Sequence, residues 1–180
     1  MKFGEQFAKL AKIGLAAATA SLMSTAQAQE TVKVGVILSV SGPAAAFGIP
    51  ERDTVQVFID KYNAESKTRK VEIVFHDEQT NPTEAARGAT KLIQQDKVQV
   101  IIGPTIGSSA LALMPIAAAA KIPVLGMNGV ISLTDRKNSF APWYFRSSIN
   151  DELIVRETMR RGVFVPAHKR IAFMYQEDAY

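Results

Sequence analysis

The sequence predicts an α/β fold built on a doubly wound, mostly parallel sheet. Short β-rich segments alternate along the chain with longer segments of helical spacing. The first strand, "VKVGVIL" at 32–38, is apolar at nearly every position, as expected of a strand buried on both faces. The loops that follow the strands are rich in glycine, serine and asparagine. Strands that alternate with helices of ten or more residues form βαβ units, whose sheet is mostly parallel.

The first helix is predicted at 49–63, where Pro50 suits an initial helical turn. Its apolar stripe has helical spacing, and its members are Val55, Phe58, Ile59 and Tyr62. A second strand is predicted at 71–75.

The second helix is predicted at 81–95, with Asn81 as its N-cap and Pro82 as its first residue. Glu84 is expected to complete a capping box with Asn81. The core face of this helix carries Ala85, Ala89, Leu92 and Ile93.

The middle of the chain repeats the pattern, with strands at 98–102 and 122–127 around an alanine-rich helix. Pro115 lies inside that helix and is expected to kink or restart it, because proline lacks the backbone N–H.

The last segments are an extended stretch at 143–148, a helix at 151–162 that ends at Gly162, and a strand at 170–175. The chain stops shortly after that strand with no helix to cover it, which we interpret as a truncation.

The first 28 residues have the three-part pattern of a secretory signal peptide. Lys2, Lys9 and Lys12 precede an apolar stretch at 13–23, and Ala-Gln-Ala at 26–28 provides a cleavage site. The apolar stretch is shorter than the ~20 residues that a membrane span needs. Loss of three lysines and one glutamate would lower the net charge from +4 to +2, which does not suggest a nucleic-acid-binding surface.

Signatures of an enzyme are missing from the sequence. There are no cysteines, which excludes disulfides, thiolate metal sites and cysteine nucleophiles. His76 and His168 belong to no recognisable catalytic or metal motif, and we expect structural roles for them. The adjacent carboxylates of "HDEQ" at 76–79 are expected to be solvated turn residues. We therefore expect no catalytic residues, no metal and no cofactor.

A ligand site is expected where the strands end, because open parallel sheets bind ligands beyond the carboxyl ends of their strands. The loops there allow close backbone approach, and the serines near 108 add hydroxyls to the free N–H groups of a helix start. Local composition does not decide between ligand binding and simple helix capping. Phe47, a large apolar residue among small ones, is either a core plug or one wall of a cleft.

Several segments together resemble the leucine/isoleucine/valine-binding family, the type I periplasmic solute-binding proteins of ABC transporters. The resemblance runs in order from 32 to 180 through "VKVGVILSVSGPAAAFG", "HDEQTNPTEAARGATKLIQQDKVQVIIGP", "GSSALALMPIAAAAKIPVLG", "FRSSIND" and "KRIAFMYQEDAY". It implies the type I periplasmic-binding-protein fold, with two α/β lobes and a ligand held between them. The implied organisation is a signal peptide at 1–28, lobe 1 at 29–145, and a crossover with the truncated start of lobe 2 at 146–180.

The resemblance also implies the ligand-binding residues. Phe47 matches the cleft aromatic of the family. The turn that holds the ligand carboxylate matches Thr105, Ile106, Gly107, Ser108 and Ser109. The next loop matches Met127, Asn128 and Gly129. Gly107 and Gly129 stand where amino-acid binders carry a serine and a threonine, so an amide or aromatic acid fits the pattern as well as an α-amino acid. Six residues follow the first, third and fourth strands and are expected to converge at one edge of the sheet: Phe47, Thr105, Gly107, Ser108, Asn128 and Gly129.

The resemblance implies the substrate-binding component of an ABC transporter, located in the periplasm, with a small solute and inner-membrane permease subunits as partners. An extracytoplasmic sensory domain of a signalling receptor is the alternative. A transcriptional regulator of the same fold would need a DNA-binding headpiece where the export signal stands. Because the second lobe supplies much of the pocket, a chain of this length is expected to bind its ligand weakly.

Overall fold

The computed structural model describes residues 31–164, 170 and 172, so the predicted signal peptide and most of the predicted strand at 170–175 lie outside the described residues, as does His168. Five strands form one sheet in the order β2-β1-β3-β4-β5, and all neighbouring pairs are parallel. The strands are β1 (Thr31–Leu38), β2 (Lys70–Asp77), β3 (Val100–Ile102), β4 (Val124–Gly126) and β5 (Tyr144–Arg146). The α-helices are α1 (Ala45–Glu65), α2 (Pro82–Gln94), α3 (Gly107–Ala119) and α4 (Asp151–Met159).

Helices cover both faces of the sheet, which confirms the predicted doubly wound fold. On one face, α2 and α3 pack over β1, β3 and β4 through side chains such as Leu92, Leu113 and Ile101. On the other face, α1 packs through Val55 against Val36 and Leu38. Because successive side chains of β1 point to opposite faces, this one strand contributes to both cores.

The strand order reverses direction between β1 and β3. From β1 the chain moves outward to β2, and it then crosses back to place β3 on the other side of β1. The register pairs Val34 with Val100 and Val36 with Ile102, so the carboxyl ends of β1 and β3 lie side by side. Such a switch point leaves a crevice beyond the sheet, because the loops on either side of it diverge.

Helix α1 begins at Ala45, four residues before the predicted start at 49. Phe47 is therefore in the first helical turn rather than in a loop, and Pro50 lies inside the helix. The predicted stripe is only half right. Val55 is buried and Ile59 packs beside it, whereas Phe58 and Tyr62 are largely exposed. Spacing placed these side chains on one face, but the sheet covers only part of that face.

The start of α2 confirms the predicted cap but not the capping box. The Asn81 side chain accepts hydrogen bonds from the backbone N–H groups of Thr83 and Glu84. The Glu84 carboxylate instead binds Arg87, and the Asn81 N–H donates to the Glu78 carbonyl oxygen at 2.8 Å. The loop before the helix thus supplies the acceptor that Glu84 was expected to provide.

Helix α3 continues through Pro115 without a break, so the predicted restart is wrong. Pro115 faces solvent, while Leu113, Met114 and Ala117 anchor the helix in the core. Likewise Gly162 does not end α4, because a π-helical turn at Arg160–Phe164 continues past it. Within the described residues, no helix has both the length and the apolar character to cross a bilayer.

Candidate functional site

The predicted site residues lie along the edge formed by the carboxyl ends of β1, β3 and β4, which we call the carboxyl edge. Ser39 follows β1, Thr105 follows β3, and Met127 follows β4. The Ser39 N–H donates to Thr105 Oγ1 at 3.0 Å, which joins the two loops at the switch point. The Met127 N–H donates to the Pro104 carbonyl oxygen at 3.2 Å, which joins the third loop to the second. The expected convergence on one edge is therefore present.

Gly48 allows α1 to reach this edge. A Cβ at Gly48 would lie 2.0 Å from the Ser39 carbonyl oxygen, so any side chain there would collide with the backbone at the end of β1. The close approach brings the first turns of α1, including Phe47 and Glu51, beside the loop that carries Thr105. A glycine is required because no atom other than hydrogen fits between the two backbones.

Two carboxyl groups meet at Thr105, and we call this set of contacts the Thr105 junction (Ser39, Glu51, Glu78, Thr105). The Thr105 hydroxyl donates to Glu51 Oε2 at 2.7 Å. The Thr105 N–H donates to Glu78 Oε1 at 3.1 Å, and the Ser39 hydroxyl donates to the same oxygen at 2.8 Å. One threonine is thereby held by acids from two different elements.

Glu78 is fully buried, which corrects the expectation that the carboxylates of "HDEQ" are solvated. Burial raises the pKa of its carboxyl, while Ser109, Ser39 and the backbone N–H groups of Thr105 and Ile106 act in the opposite direction. The Ser109 hydroxyl faces this carboxyl without forming a hydrogen bond of standard geometry, and Glu78 Oε2 also lacks a partner. Burial also raises the pKa of Glu51, where the Thr105 hydrogen bond lowers it and the charge of Glu78 raises it further.

Asp77 has a different role from its neighbour. Its carboxylate accepts hydrogen bonds from the Val40 N–H, the Ser41 hydroxyl and the Gln79 N–H. Partial burial raises the pKa of Asp77, but these hydrogen bonds outweigh it and the net shift is downward. Asp77 therefore holds the loop after β1 as an ionised group. The neighbouring Glu78 is buried, and burial favours the neutral form of its carboxyl.

The turn from Thr105 to Ser109 leads directly into α3, which starts at Gly107. No side chain caps this helix start, and the N–H groups of Gly107, Ser108 and Ser109 precede the first intrahelical bond, from Ala110 to Ile106. Such N–H groups favour an anion, because the helix dipole adds to them. Ser108 and Ser109 are buried, and Ser109 faces Glu78.

An apolar cavity of about 380 Å³ opens beside this turn. Its lining residues are Ala46, Phe47, Pro50, Glu51, Thr54 and Met127. Phe47 is 68% exposed, so it is a wall of this opening and not a core plug. Of the predicted residues, Phe47 and Met127 line the cavity directly, and Thr105 reaches it through the hydroxyl that binds Glu51.

The loop after β4 is held by neutral groups, and we call these contacts the Asn128 junction (Pro104, Asn128, Tyr144). The Tyr144 hydroxyl donates to Asn128 Oδ1 at 2.7 Å, and Asn128 Nδ2 donates to the Pro104 carbonyl oxygen at 3.0 Å. The Asn128 side chain thus forms two hydrogen bonds within the protein. Burial raises the pKa of Tyr144 to about 12, so this phenol is neutral throughout the physiological range.

Gly129 lies under the first turn of α4. A Cβ there would meet the Asp151 carboxylate at 1.9 Å, and the Gly129 carbonyl oxygen accepts a hydrogen bond from Arg146 Nη1 at 3.0 Å. The position at which the resemblance places a threonine in amino-acid binders is therefore filled here by the carboxylate of Asp151. This contact was not predicted.

In the part of the chain that the structure describes, His76 has the contacts of a structural residue. His76 Nε2 lies 3.2 Å from the Glu84 carbonyl oxygen, and its ring packs against Gly88, as expected of a structural histidine. In this same part, no three acidic or histidine side chains are grouped to hold a metal ion.

Sequence reasoning missed Ser39, Glu51 and Asp151, and it wrongly expected Glu78 to be solvated. Their positions after strands or at helix starts were visible, but no local pattern distinguishes a buried carboxyl from a solvated one. Only the positions of Ser39 and Glu78 at strand ends could have drawn attention to them.

Comparison with known proteins then identifies the family. The sequence model described as periplasmic binding protein matches residues 31–180. The Leu/Ile/Val-binding protein homolog 6 of Brucella abortus is 30% identical over 158 residues, which cover 84% of this chain and 40% of that relative. A solute-binding protein of an ABC transporter from Rhodopseudomonas palustris BisB5, in complex with 3,4-dihydroxybenzoic acid, matches with 31% identity and a TM-score of 0.63.

The match to the 3,4-dihydroxybenzoic acid complex covers 73% of this chain and 37% of the chain in that structure. A solute-binding protein of an ABC transporter from R. palustris, in complex with benzoate, is 28% identical with a TM-score of 0.64 and covers 73% and 38% of the two chains. The chain thus spans about 40% of the length of the curated relative. By the family match, by these relatives and by its all-parallel doubly wound sheet, the chain belongs to the periplasmic binding protein family, in its leucine/isoleucine/valine-binding-like group.

Proposed function

We propose that this protein is the substrate-binding component of an ABC transporter, which captures a small solute in the periplasm and delivers it to membrane permease subunits. In this proposal residues 1–28 are a signal peptide, 29–145 form lobe 1, and 146–180 contain the crossover and the start of lobe 2. The solute binds between the lobes, against the carboxyl edge of lobe 1. The protein performs no chemistry on the solute.

The observation that carries this proposal is the uncapped start of α3 beside an apolar cavity at the switch point of the sheet. Free N–H groups at a helix start bind a carboxylate, and the side chains of Phe47 and Met127 offer contact to an apolar body. A small organic acid has both features. Thr105, Ile106, Gly107, Ser108 and Ser109 are proposed to face its carboxylate, and Met127, Asn128 and Gly129 its neighbouring atoms.

Within this class we propose a hydrophobic acid, either an aromatic acid or a branched-chain amino acid or related amide. The cavity lining favours the aromatic acid, because Phe47 presents a ring face and the loop at Gly129 carries no hydroxyl for an amino group. The two solved relatives described above bind benzoates, which supports the same ligand class. They are solute-binding proteins of transporters, so the sensory alternative is not favoured.

The test is a ligand screen of the complete protein by thermal shift, followed by calorimetry. Benzoate, 4-hydroxybenzoate, leucine and isoleucine are the probes. A solute at a hundred times its Kd adds about 2.7 kcal/mol to the free energy of unfolding, which gives a clear rise in Tm. If none of the four probes raises Tm or produces heat of binding, the proposed ligand class is wrong.

Phe47→Ala tests the site itself. Loss of the ring removes one wall of the cavity, and affinity for the bound acid is expected to fall about ten- to a hundredfold, corresponding to ~1–3 kcal/mol. Phe58→Ala is the matched control, because Phe58 lies on the same helix with a similar exposed fraction, 67%, but does not line this cavity. Equal affinities for the two variants would show that Phe47 is not part of the binding site.

A further inference from the structure

Two carboxyl groups that the proposed function does not use converge on Thr105, two residues before the start of α3. Glu51 from α1 and Glu78 from the loop after β2 are both hydrogen-bonded to Thr105, through its hydroxyl and its N–H respectively. Thr105 also accepts a hydrogen bond from the Ser39 N–H, so the geometry of the turn depends on all three partners. Any change in the charge of either acid acts directly on the turn at which the solute is proposed to bind.

The carboxyl group of Glu78 is buried beside the Ser109 hydroxyl. Glu78 Oε2 and Ser109 Oγ are both buried, both lack a hydrogen-bond partner, and belong to side chains that face each other. An ionised carboxylate accepts hydrogen bonds only, whereas a protonated one also donates. The Ser109 hydroxyl can donate to the carboxylate, so the main effect of a proton on Glu78 would be to remove a buried negative charge.

No positively charged side chain among the described residues neutralises the Glu51 and Glu78 carboxyl groups. On α1, Arg52 binds Asp53 rather than Glu51. On the β2 side, Asp77 adds a further negative charge and His76 is turned toward the Glu84 carbonyl oxygen. Helix α3 has the neutral side chains of Ser108 and Ser109 near its start. Arg146 of β5 and Asp151 of α4 both contact Gly129 instead. Among the described residues, neither Glu51 nor Glu78 forms an ion pair with a lysine or arginine.

Glu51 connects this pair to the solute, because its side chain also lines the cavity. We propose that the Glu51–Glu78 pair takes up one proton from solvent when a carboxylate-bearing solute binds at the carboxyl edge. The inference rests on the proposed function. A carboxylate placed at the start of α3 arrives next to two acids that share Thr105, and a third negative charge there favours the neutral form of one of them.

The sign of the pH dependence follows from this uptake. Affinity for the acid rises as pH falls through the interval in which the pair is protonated in the complex but not in the free protein. Within that interval the change approaches tenfold per pH unit, and outside it the dependence disappears. Glu51 and Glu78 are therefore positioning and specificity-determining residues, and the acid binds more tightly when the pair takes up a proton.

The experiment is calorimetry of the complete protein with benzoate between pH 5 and pH 8, at each pH in two buffers of different ionisation enthalpy. The difference between the buffers measures protons taken up. We expect a fractional uptake that reaches its maximum inside this range in the wild type and is absent in the Glu51→Gln, Glu78→Gln double variant. Glu72→Gln is the control, because Glu72 is an exposed carboxylate paired with Lys33.

Binding of benzoate without proton uptake at any pH, or uptake that persists in the double variant, overturns the inference and leaves the proposed function standing. Absence of binding by benzoate, 4-hydroxybenzoate, leucine and isoleucine counts against the proposed function instead. In either case a carbon-13 NMR titration of the Glu78 carboxyl in the free wild-type protein decides independently. A Glu78 carboxyl that titrates at the ordinary glutamate value overturns the inference.

Discussion

The Thr105 junction and the Asn128 junction hold neighbouring loops at the same edge of one sheet, but they use different chemistry. The first relies on the carboxyl groups of Glu51 and Glu78, and the second on the neutral chain from Tyr144 through Asn128 to Pro104. A neutral junction keeps its geometry at any physiological pH. The acidic junction contains two groups that can titrate, and burial raises the pKa of both carboxyls.

The difference shows that one edge of a sheet can hold one loop with neutral groups and the neighbouring turn with titratable ones. The loop after β4 is anchored to β5 by Tyr144, whose phenol is fully buried, and it provides a stable wall. The turn after β3 is anchored by titratable groups, and it is the turn at which the solute is proposed to bind. Four substitutions test this contrast by their effects on the free energy of unfolding.

The largest loss of stability is expected from Gly48→Ala, which disturbs the Thr105 junction by pushing the backbone of α1 away from Ser39. The new Cβ would lie 2.0 Å from the Ser39 carbonyl oxygen, and neither backbone can move without distorting the end of β1. We expect a loss of about 3 kcal/mol in urea unfolding. Gly162→Ala is the control, since nothing lies within 4 Å of its Cβ position, and it should change stability by less than ~1 kcal/mol. Similar effects of the two variants would refute the close approach of α1.

Tyr144→Phe removes the donor of the Asn128 junction and leaves the Asn128 carbonyl buried without its partner. The expected cost is ~1–3 kcal/mol. Because the pKa of Tyr144 is about 12, the cost should be the same at pH 5 and at pH 8. Urea unfolding at both pH values measures it, with Tyr62→Phe, at an exposed site on α1, as the control. A cost that changes with pH would contradict the neutrality of this junction.

Glu78→Gln, unlike Tyr144→Phe, is expected to change stability by an amount that depends on pH. Burial raises the pKa of Glu78 in the folded state, so the wild type loses stability as pH rises from the unfolded-state pKa to the folded-state pKa. Glutamine cannot ionise, so the variant gains relative to the wild type by about 1.4 kcal/mol per unit of pKa shift. Unfolding free energies at pH 4 and pH 8, compared with Glu72→Gln, measure this gain. A constant difference between pH 4 and pH 8 would show that Glu78 is not perturbed.

The smallest effect is expected from Asp77→Asn. The pKa of Asp77 is lowered in the folded state, so its contribution is present above the unfolded-state pKa and is lost as pH falls through the folded-state pKa. The side chain is partly solvated, and a loss of about 0.5 kcal/mol at pH 7 is expected to vanish once pH falls below the folded-state pKa of Asp77. Chemical unfolding across this range checks it. The pH trend is opposite in sign to that of Glu78→Gln, and identical trends would show that the two adjacent acids are not in different environments.

The sequence by itself determined the class of fold, because hydrophobic periodicity and loop composition report directly on strands, helices and their order. The alternation of β1, α1 and β2 and the Asn81 cap followed from local pattern. The placement of Phe47, Thr105 and Asn128 at one edge followed from the rule for parallel sheets, once the resemblance had singled out these residues. The tertiary structure alone decided which side of α1 is covered, that α3 runs through Pro115, and that Glu78 is buried while Asp77 beside it is not. These outcomes depend on contacts between residues far apart in the chain. The proximity of Glu51 to Glu78 through Thr105, and of Asp151 to Gly129, exists only once the strands have paired, since no pattern within one segment records what another segment will bring against it.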